Sequence, residues 1–316
     1  MSNCLFCYQP LTDHAQDFHV SCAKKIFGQP DAPVLPYSEE DLEPLAREVI
    51  QSQTAVTGVQ AKLSLHITGN IKHGTPRRFT IVGLWGGYIL KPPTPLYPQL
   101  PEVEDATMHL AQLIKIKTAP HSLIRLKSGS LAYITQRVDR VKKRKLAMED
   151  MCQLTERLTE DKYHGSYEQI GKTIQKFSAA PGLDVVNFFE LVLFSFLTGN
   201  ADMHLKNFSL LEQPGLGMTI APAYDLVNTA LVNPADEEEM ALTLNGKKRK
   251  LKKQDFVEAM HTLKIEAKQQ ENIFNKMRKA LPQWMLLIDR SFMSDEMKLQ
   301  YKEILMERMS RMSLNK

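Results

Sequence analysis

The spacing of apolar and polar positions changes character along the chain. Between residues 45 and 140 the apolar runs are short and alternate. Leu63, Leu65 and Ile67 are separated by Ser64 and His66, the period of two that predicts a strand with one buried face. Phe79–Val82 is a short apolar strand, Gly86 and Gly87 lead into a third at Tyr88–Lys91, and Leu131–Thr135 gives a fourth. One amphipathic helix, roughly Glu102 to Lys115, interrupts them. From Met148 onward the pattern is helical. Asn187–Leu197 is so uniformly apolar that it predicts a helix buried on all sides. Two short strands follow, Asn207–Leu211 and Gly217–Ile220, then Asn245-Gly246, a hairpin-type turn, and a mostly helical stretch over 253–314.

The first 44 residues differ from the rest. Residues 1–28 carry three of the four cysteines and end in Lys24-Lys25-Ile26-Phe27-Gly28, which reads as a short helix with a glycine stop. Residues 29–44 contain four prolines and several acids and read as a linker. The expected organisation is a cysteine-bearing segment with linker over 1–44, a β-rich lobe over 45–140 and a helical lobe over 141–316. This is an α+β fold with the two-lobed outline of a protein kinase.

Composition sets outer bounds. Apolar residues make up 43% and charged residues 24% of the 316 positions, ordinary for a chain that buries a core and unlike a disordered one. No run approaches the roughly 18 consecutive apolar residues of a membrane helix. The chain opens Met1-Ser2-Asn3-Cys4 without a basic and apolar leader, which predicts a cytoplasmic protein. A net charge of +4 permits acidic partners without arguing for nucleic acid. The basic runs Lys142–Lys145 and Lys247–Lys250 lack interleaved aromatics and read as solvated faces, so no specific nucleic-acid binding by the chain itself is expected.

Chemistry concentrates in Gly199–Asn207. Asp202 and Asn207 stand five apart directly after the apolar helix, and Asp225 follows the next strand pair. In a kinase catalytic loop the aspartate accepts the proton of the substrate hydroxyl, the asparagine reaches a magnesium ion, and a second aspartate holds the metal beyond a hairpin. Mg²⁺ takes hard oxygen ligands and keeps waters, so a carboxylate, an amide oxygen and ATP phosphates suffice. For a lone Asp-x4-Asn, helix caps and turns would be the ordinary reading; Asp225 at its distance argues against it. Lys91 ends an alternating strand, where a lysine suits the α- and β-phosphates, although a solvated strand end is the commoner fate of lysine. Glu102 and Glu104 open the next helix, and either could pair with it. Thr54–Lys62 contains one glycine, Gly58, and could lay backbone N–H groups over phosphates or be an ordinary turn.

These segments together resemble the HipA-type kinases. Thr57–Lys62, Ile89–Pro92, Gln136–Arg140, Glu149–Gln153, Asn200–Asn207 and Ala223–Asp225 occur in that family's order over about residues 50–230. The resemblance implies ATP and Mg²⁺ as cofactors and phosphorylation of protein Ser/Thr, directed in relatives at aminoacyl-tRNA synthetases. It makes Asp202 the general base, Asn207 and Asp225 the metal ligands, and Lys91 the phosphate lysine. Gln136 and Val138 fall in the adenine hinge, Gln60 and Lys62 in the phosphate loop, and His204 and Lys206 among the nucleotide-contacting positions. Only about 55 residues precede the loop motif, as in the short HipT kinases, which work beside a small HipS-like protein and a HipB-like DNA-binding protein. Relatives carry a self-phosphorylated serine three residues before the loop glycine, where this chain has Ala55. Thr57 and Thr54 flank it: one of them takes the modification, or self-regulation at this loop is reduced. The same catalytic set also fits a kinase-fold binding module without turnover, or a small-molecule kinase.

Cys4-x2-Cys7 and His19-x2-Cys22 offer four ligands in two close pairs, a set suited to structural zinc. The alternative is a cluster of unmetallated thiols beside an exposed histidine. Cys152 reads as a small buried residue.

Overall fold

Leu63 and Leu65 are buried while His66 between strand partners is exposed, so the alternation seen in the sequence becomes the inner face of β1 (Leu63–Thr68). The computed structural model describes residues 2–12, 17–52, 62–69, 77–82, 86–141 and 144–315. They form two compact units: one contains residues up to Asp105, Ala119–Arg137 and Arg290–Met293, the other Ala106–Thr118, Val138–Asp289 and the chain from Ser294 onward.

The first unit is built on a five-stranded antiparallel sheet. β1 pairs with β2 (Arg78–Ile81) and β3 (Tyr88–Lys91), β3 with β5 (Leu131–Gln136), and β5 with β4 (His121–Arg125), giving the order β2-β1-β3-β5-β4. The register sets Leu63 opposite Leu90 and Lys91 opposite Tyr133. Gly86 is needed where the chain enters β3: a Cβ there would lie 2.5 Å from the Leu65 carbonyl oxygen. Strand β4 has no counterpart among the sequence expectations, because His121-Ser122 opens it with two polar residues. Both are nevertheless buried.

Two helices precede the sheet. In α1 (Val20–Phe27) the buried Cys22, Ala23, Ile26 and Phe27 share one face, and Gly28 closes the helix at φ 70° with its N–H on the Lys24 carbonyl, 3.0 Å away. The glycine stop is therefore where the sequence puts it. α2 (Glu39–Ser52) begins inside the stretch expected to be a linker. Ser38 caps it: its N–H and hydroxyl both donate to Asp41 Oδ2 at 2.8 Å. Pro44 lies in the second turn of this helix, and the proline count concealed the cap. The core of this unit joins Leu63, Leu65, Phe79 and Leu90 of the sheet to Ile26 and Phe27 of α1.

α3 (Leu100–Leu113) covers the expected helix, starting and ending about two residues earlier. Its first turns belong to the first unit.

The second unit opens with two-residue strands β6 (Arg140–Val141) and β7 (Arg144–Lys145). β8 (Met148–Asp150) follows, a strand where the helical pattern was expected to begin. It pairs with β9 (Ser209–Gln213), which pairs with β10 (Gly217–Ile220). α4 (Met151–Leu154) and α5 (Tyr167–Phe177) start at full capping boxes, Asp150 with Gln153 and Ser166 with Gln169. α6 (Pro181–Leu197) is the apolar helix, with Pro181 in its first turn and Phe188, Phe189, Phe194 and Phe196 fully buried. Phe194 meets Trp284 edge to face at 5.8 Å. α7 (Thr229–Val232), α8 (Lys253–Thr262), α9 (Ala267–Arg290) and α10 (Asp295–Arg311) complete the unit, α9 keeping Pro282 within its length. Asn245 and Gly246 turn with φ 48° and 74° between bridged Leu244 and Lys247, the left-handed pair of a type I′ turn. Among the described residues no helix is long and apolar enough to cross a membrane.

Candidate active site

In the first unit the sequence-predicted phosphate lysine, Lys91, is the last residue of β3. Its Nζ lies 2.5 Å from Glu104 Oε1, and both side chains are buried. The ammonium also stands 5.3 Å from the centre of the Tyr133 ring on β5. Of the two glutamates that open α3, the structure selects Glu104. Helical geometry explains the choice, since residues two apart do not share a face. Glu102 is half-buried, and burial, with the Asp105 charge a smaller cause, raises its carboxyl to about 7.

Gln136 ends β5 and donates through Nε2 to the Ile26 carbonyl at 2.5 Å, where the Tyr88 hydroxyl also donates at 3.1 Å. Arg137 N–H bonds the Gly87 carbonyl, closing the end of the sheet. Lys62 is exposed just before β1. Gln60, Thr57 and Thr54 lie outside the described residues.

In the second unit, α6 ends at Leu197 and the chain turns through Gly199 at φ 76° into the loop that carries Asp202. The loop is cross-braced. Asp202 N–H donates to Asn200 Oδ1 at 3.2 Å, and His204 N–H and Asn207 Nδ2 both donate to the Asp202 carbonyl at 2.8 Å. Asn207 belongs to a 3-10 turn, Leu205–Asn207, rather than to the strand expected to begin there; β9 starts two residues later. With Nδ2 committed to the backbone, the amide oxygen is the end of Asn207 suited to a cation. The Asp202 carboxylate accepts from the Tyr163 hydroxyl at 2.7 Å, and burial first, then this carboxylate, raise the phenol well above its usual range.

His204 is buried, and desolvation holds its imidazole below the ordinary value against the opposing charges of Asp202 and Asp225. Its Nδ1 has no hydrogen-bond partner among the described residues. Lys206 does not stand free: its Nζ pairs with Asp150 Oδ2 at 2.7 Å. Tyr224 donates to the Lys206 carbonyl at 3.0 Å and shares a 2.6 Å bond with Ser209. Asp225 follows at φ 60°, left-handed backbone that aspartate tolerates better than most residues. Strain of this kind is kept where surrounding contacts enforce it. Asp202, His204, Asn207 and Asp225 thus converge in this unit, with Val138 half-buried in the same unit.

Sequence reasoning missed Tyr163 and the role of Asp150. Nothing near Tyr163 marks it. Asp150 carried a signal in Asp-x2-Gln, which announced the cap of α4 but not the second bond from the same carboxylate to Lys206.

Residues 54–285 match the HipA-like C-terminal domain family. The chain belongs to that family. It is 31% identical over 208 residues to a protein of Sinorhizobium fredii named "Putative kinase Y4dM", covering 62% of this chain and 49% of that one. The chain spans about half the length of the curated relatives it matches. Among solved structures, HipA of Shewanella oneidensis, in complex with HipB and operator DNA, superposes with a TM-score of 0.69 at 21% identity, over 85% of this chain and 71% of that one. The Helicobacter pylori kinase CtkA superposes at 0.51 and 17% identity, over 74% of this chain and 87% of that one. The fold is therefore the kinase-like α+β fold of these proteins, with a sheet-rich and a helical part.

Proposed function

We propose that this HipA-like chain is an ATP- and Mg²⁺-dependent protein Ser/Thr kinase, and the toxin of a HipBST-like toxin–antitoxin system. The observation that carries the reading is the buried Lys91–Glu104 pair. A strand lysine held by a helix glutamate is the kinase arrangement for grasping nucleotide phosphates, and a buried pair of this kind contributes little to stability by itself. Within the second unit, Asp202, Asn207 and Asp225 are the residue types a kinase uses as base and metal ligands.

In this reading Asp202 accepts the proton of a Ser or Thr hydroxyl as its oxygen attacks the γ-phosphorus. The bond from that phosphorus to the β-bridging oxygen breaks, leaving a phosphoester and ADP. Mg²⁺, when bound, neutralises charge developing on the phosphate oxygens. Asn207 Oδ1 and the Asp225 carboxylate fit it as hard oxygen donors. Lys91 binds phosphate, and Gln136 and Val138 hold the adenine edge. Lys206, His204, Gln60 and Lys62 contact the nucleotide or its phosphates. Tyr163 orients the base through its 2.7 Å hydrogen bond.

The family's short HipT members supply the rest: an aminoacyl-tRNA synthetase as cytoplasmic substrate, a HipS-like protein docking near residues 29–60, a HipB-like DNA-binding antitoxin, and self-phosphorylation at Thr57 or, second, Thr54. The Shewanella protein's association with HipB supports the antitoxin partner.

The test is incubation of the purified protein with γ-labelled ATP, Mg²⁺ and a host lysate, beside Asp202→Asn. The expected result is label on Ser or Thr of one dominant protein, lost in the variant. ATP binding without any transfer would make the chain a binding module, and label appearing only in small molecules would make it a metabolite kinase. Either result overturns the proposal.

A further inference from the structure

Cys4 and Cys7 sit in a tight turn at the head of the first unit. The turn is closed by an antiparallel bridge between Asn3 and Pro10, by Cys4 N–H on the Gln9 carbonyl at 2.9 Å and by Tyr8 N–H on the Cys4 carbonyl at 3.0 Å. Tyr8 adopts φ 59°, the left-handed conformation that reverses the chain after the second cysteine. His19 and Cys22 come from the start of α1, three residues and so one turn apart. The four potential ligand atoms, three sulfurs and one ring nitrogen, all lie within 4.8 Å of one another.

The histidine separates the two readings of this cluster. Three thiols could simply be small apolar core residues, but such a core gives no reason to aim an imidazole nitrogen at sulfur. His19 Nδ1 lies 3.5 Å from Cys7 Sγ and 3.8 Å from Cys22 Sγ. With Zn–S about 2.3 Å and Zn–N about 2.0–2.1 Å, a tetrahedral site has N···S edges of about 3.5 Å. The other ring nitrogen, Nε2, is 3.1 Å from the Pro10 carbonyl. A carbonyl oxygen only accepts, so Nε2 carries the hydrogen and Nδ1 presents its lone pair to the sulfurs. That is the outer bond which fixes the tautomer of a metal-ligating histidine.

The cluster is wired to the nucleotide-binding elements of its own unit. Tyr8, next to Cys7, donates to Asp105 Oδ2 at 2.6 Å, and Asp105 follows Glu104; its Oδ1 is 2.7 Å from His121 Nδ1. The Ile26 carbonyl, one turn beyond Cys22, receives Gln136 and Tyr88. The cluster is therefore tied both to the helix that carries Glu104 and to the paired Tyr88 and Gln136, where β3 begins and β5 ends, three residues before Lys91.

We propose that Cys4, Cys7, His19 and Cys22 bind one structural zinc ion, and that this metal knuckle anchors α3 and the β3–β5 end of the sheet. Tetrahedral coordination by three thiolates and one imidazole closes the site, so it takes no part in phosphoryl transfer. The metal would add to the apolar burial of Leu5, Leu11, Phe18, Ile26 and Phe27 by fixing the turn that carries Cys4 and Cys7 against the start of α1.

Metal analysis of the full-length protein, purified under reducing conditions without chelator, tests this. About one zinc per chain is expected, falling about tenfold or more in Cys7→Ser and Cys22→Ser and retained in His19→Cys. Replacement of zinc by Co²⁺ in the unmutated protein should give sulfur-to-cobalt charge-transfer and tetrahedral ligand-field bands, a readout that needs no variant to fold. Absence of both zinc and cobalt bands in folded, reduced protein overturns the proposal. So does zinc that persists in both serine variants, because the metal would then be held elsewhere. Neither measurement depends on whether the protein transfers phosphate.

Discussion

Lys91 Nζ and Glu104 Oε1 are 2.5 Å apart, and neither side chain is exposed beyond a few per cent. Removing one partner strands the other as a buried charge, a loss of about 3–5 kcal/mol in comparable sites. Lys91→Met should therefore lower the melting temperature and also abolish phosphoryl transfer. Glu104→Gln keeps a hydrogen-bond partner, so its transfer rate should fall less, by about 10²-fold, with most of the loss in the apparent KM for ATP. Steady-state kinetics with thermal melts separates the effects. A Lys91→Met protein as active as the parent would remove this pair from the nucleotide site.

That pair also marks how far the sequence could be read. Lys91 was legible because a period-two strand ended in it, but the choice between Glu102 and Glu104 needed the helix phase, which sequence places only to within a residue or two. The strands of the first sheet were legible where apolar residues alternated and hidden in β4, whose leading His121 and Ser122 look solvent-facing and are buried. α2 was obscured because Pro30, Pro33 and Pro36 ahead of it, with Pro44 inside it, outweighed the Ser38–Asp41 cap in the reading of composition. In the loop after α6, the spacing of Asp202, Asn207 and Asp225 was visible. The braces around it were not, since Tyr163 reaches Asp202 from 39 positions away. Contacts at that separation are fixed by tertiary packing and leave no local pattern.

Tyr163 offers a test of the base assignment. Asp202→Asn should keep ATP binding and lose transfer by about 10²–10⁴-fold, the range attributable to general-base catalysis. Tyr163→Phe leaves the carboxylate in place and removes one orienting bond. Its expected cost is about tenfold in kcat with little change in KM, as for an interaction worth about 1.5 kcal/mol. A KM effect without a kcat effect would mean that Tyr163 supports nucleotide binding rather than the base.

Gly199 is the hinge between the apolar helix and this loop. At φ 76° it occupies left-handed backbone, and a Cβ there would lie 2.3 Å from Asn228 Oδ1, the atom that caps α7 by accepting from Leu231 N–H at 2.9 Å. Its carbonyl also receives Ala230 N–H at 3.0 Å. Gly199→Ala should destabilise the protein by about 2–4 kcal/mol through strain and displacement of the cap. Because part of that cost is the clash, Gly199→Ala with Asn228→Ala should lose less than the sum of the single changes. Chemical denaturation of the three variants measures the coupling, and strict additivity would show that the contact with Asn228 is not the source.

Glu102 predicts a pH dependence of stability with a definite sign. Burial raises its carboxyl from 4.5 to about 7 in the folded protein. Below pH 4.5 both folded and unfolded chains hold the proton, and the group is neutral in the balance. Between about 4.5 and 7 the unfolded chain releases its proton while the folded one keeps it, so stability falls as pH rises through this window. Above 7 the loss is complete, at most about 3 kcal/mol for a shift of this size, and less to the extent that the half-buried side chain reaches water. Glu102→Gln keeps the shape and removes the ionisation. Its unfolding free energy should match the parent near pH 4 and exceed it at pH 8, by an amount that grows across the window. Urea unfolding at half-unit pH steps on both proteins measures that difference directly. If it is flat from pH 5 to 8, Glu102 ionises normally in the folded state and is not the buried acid described here.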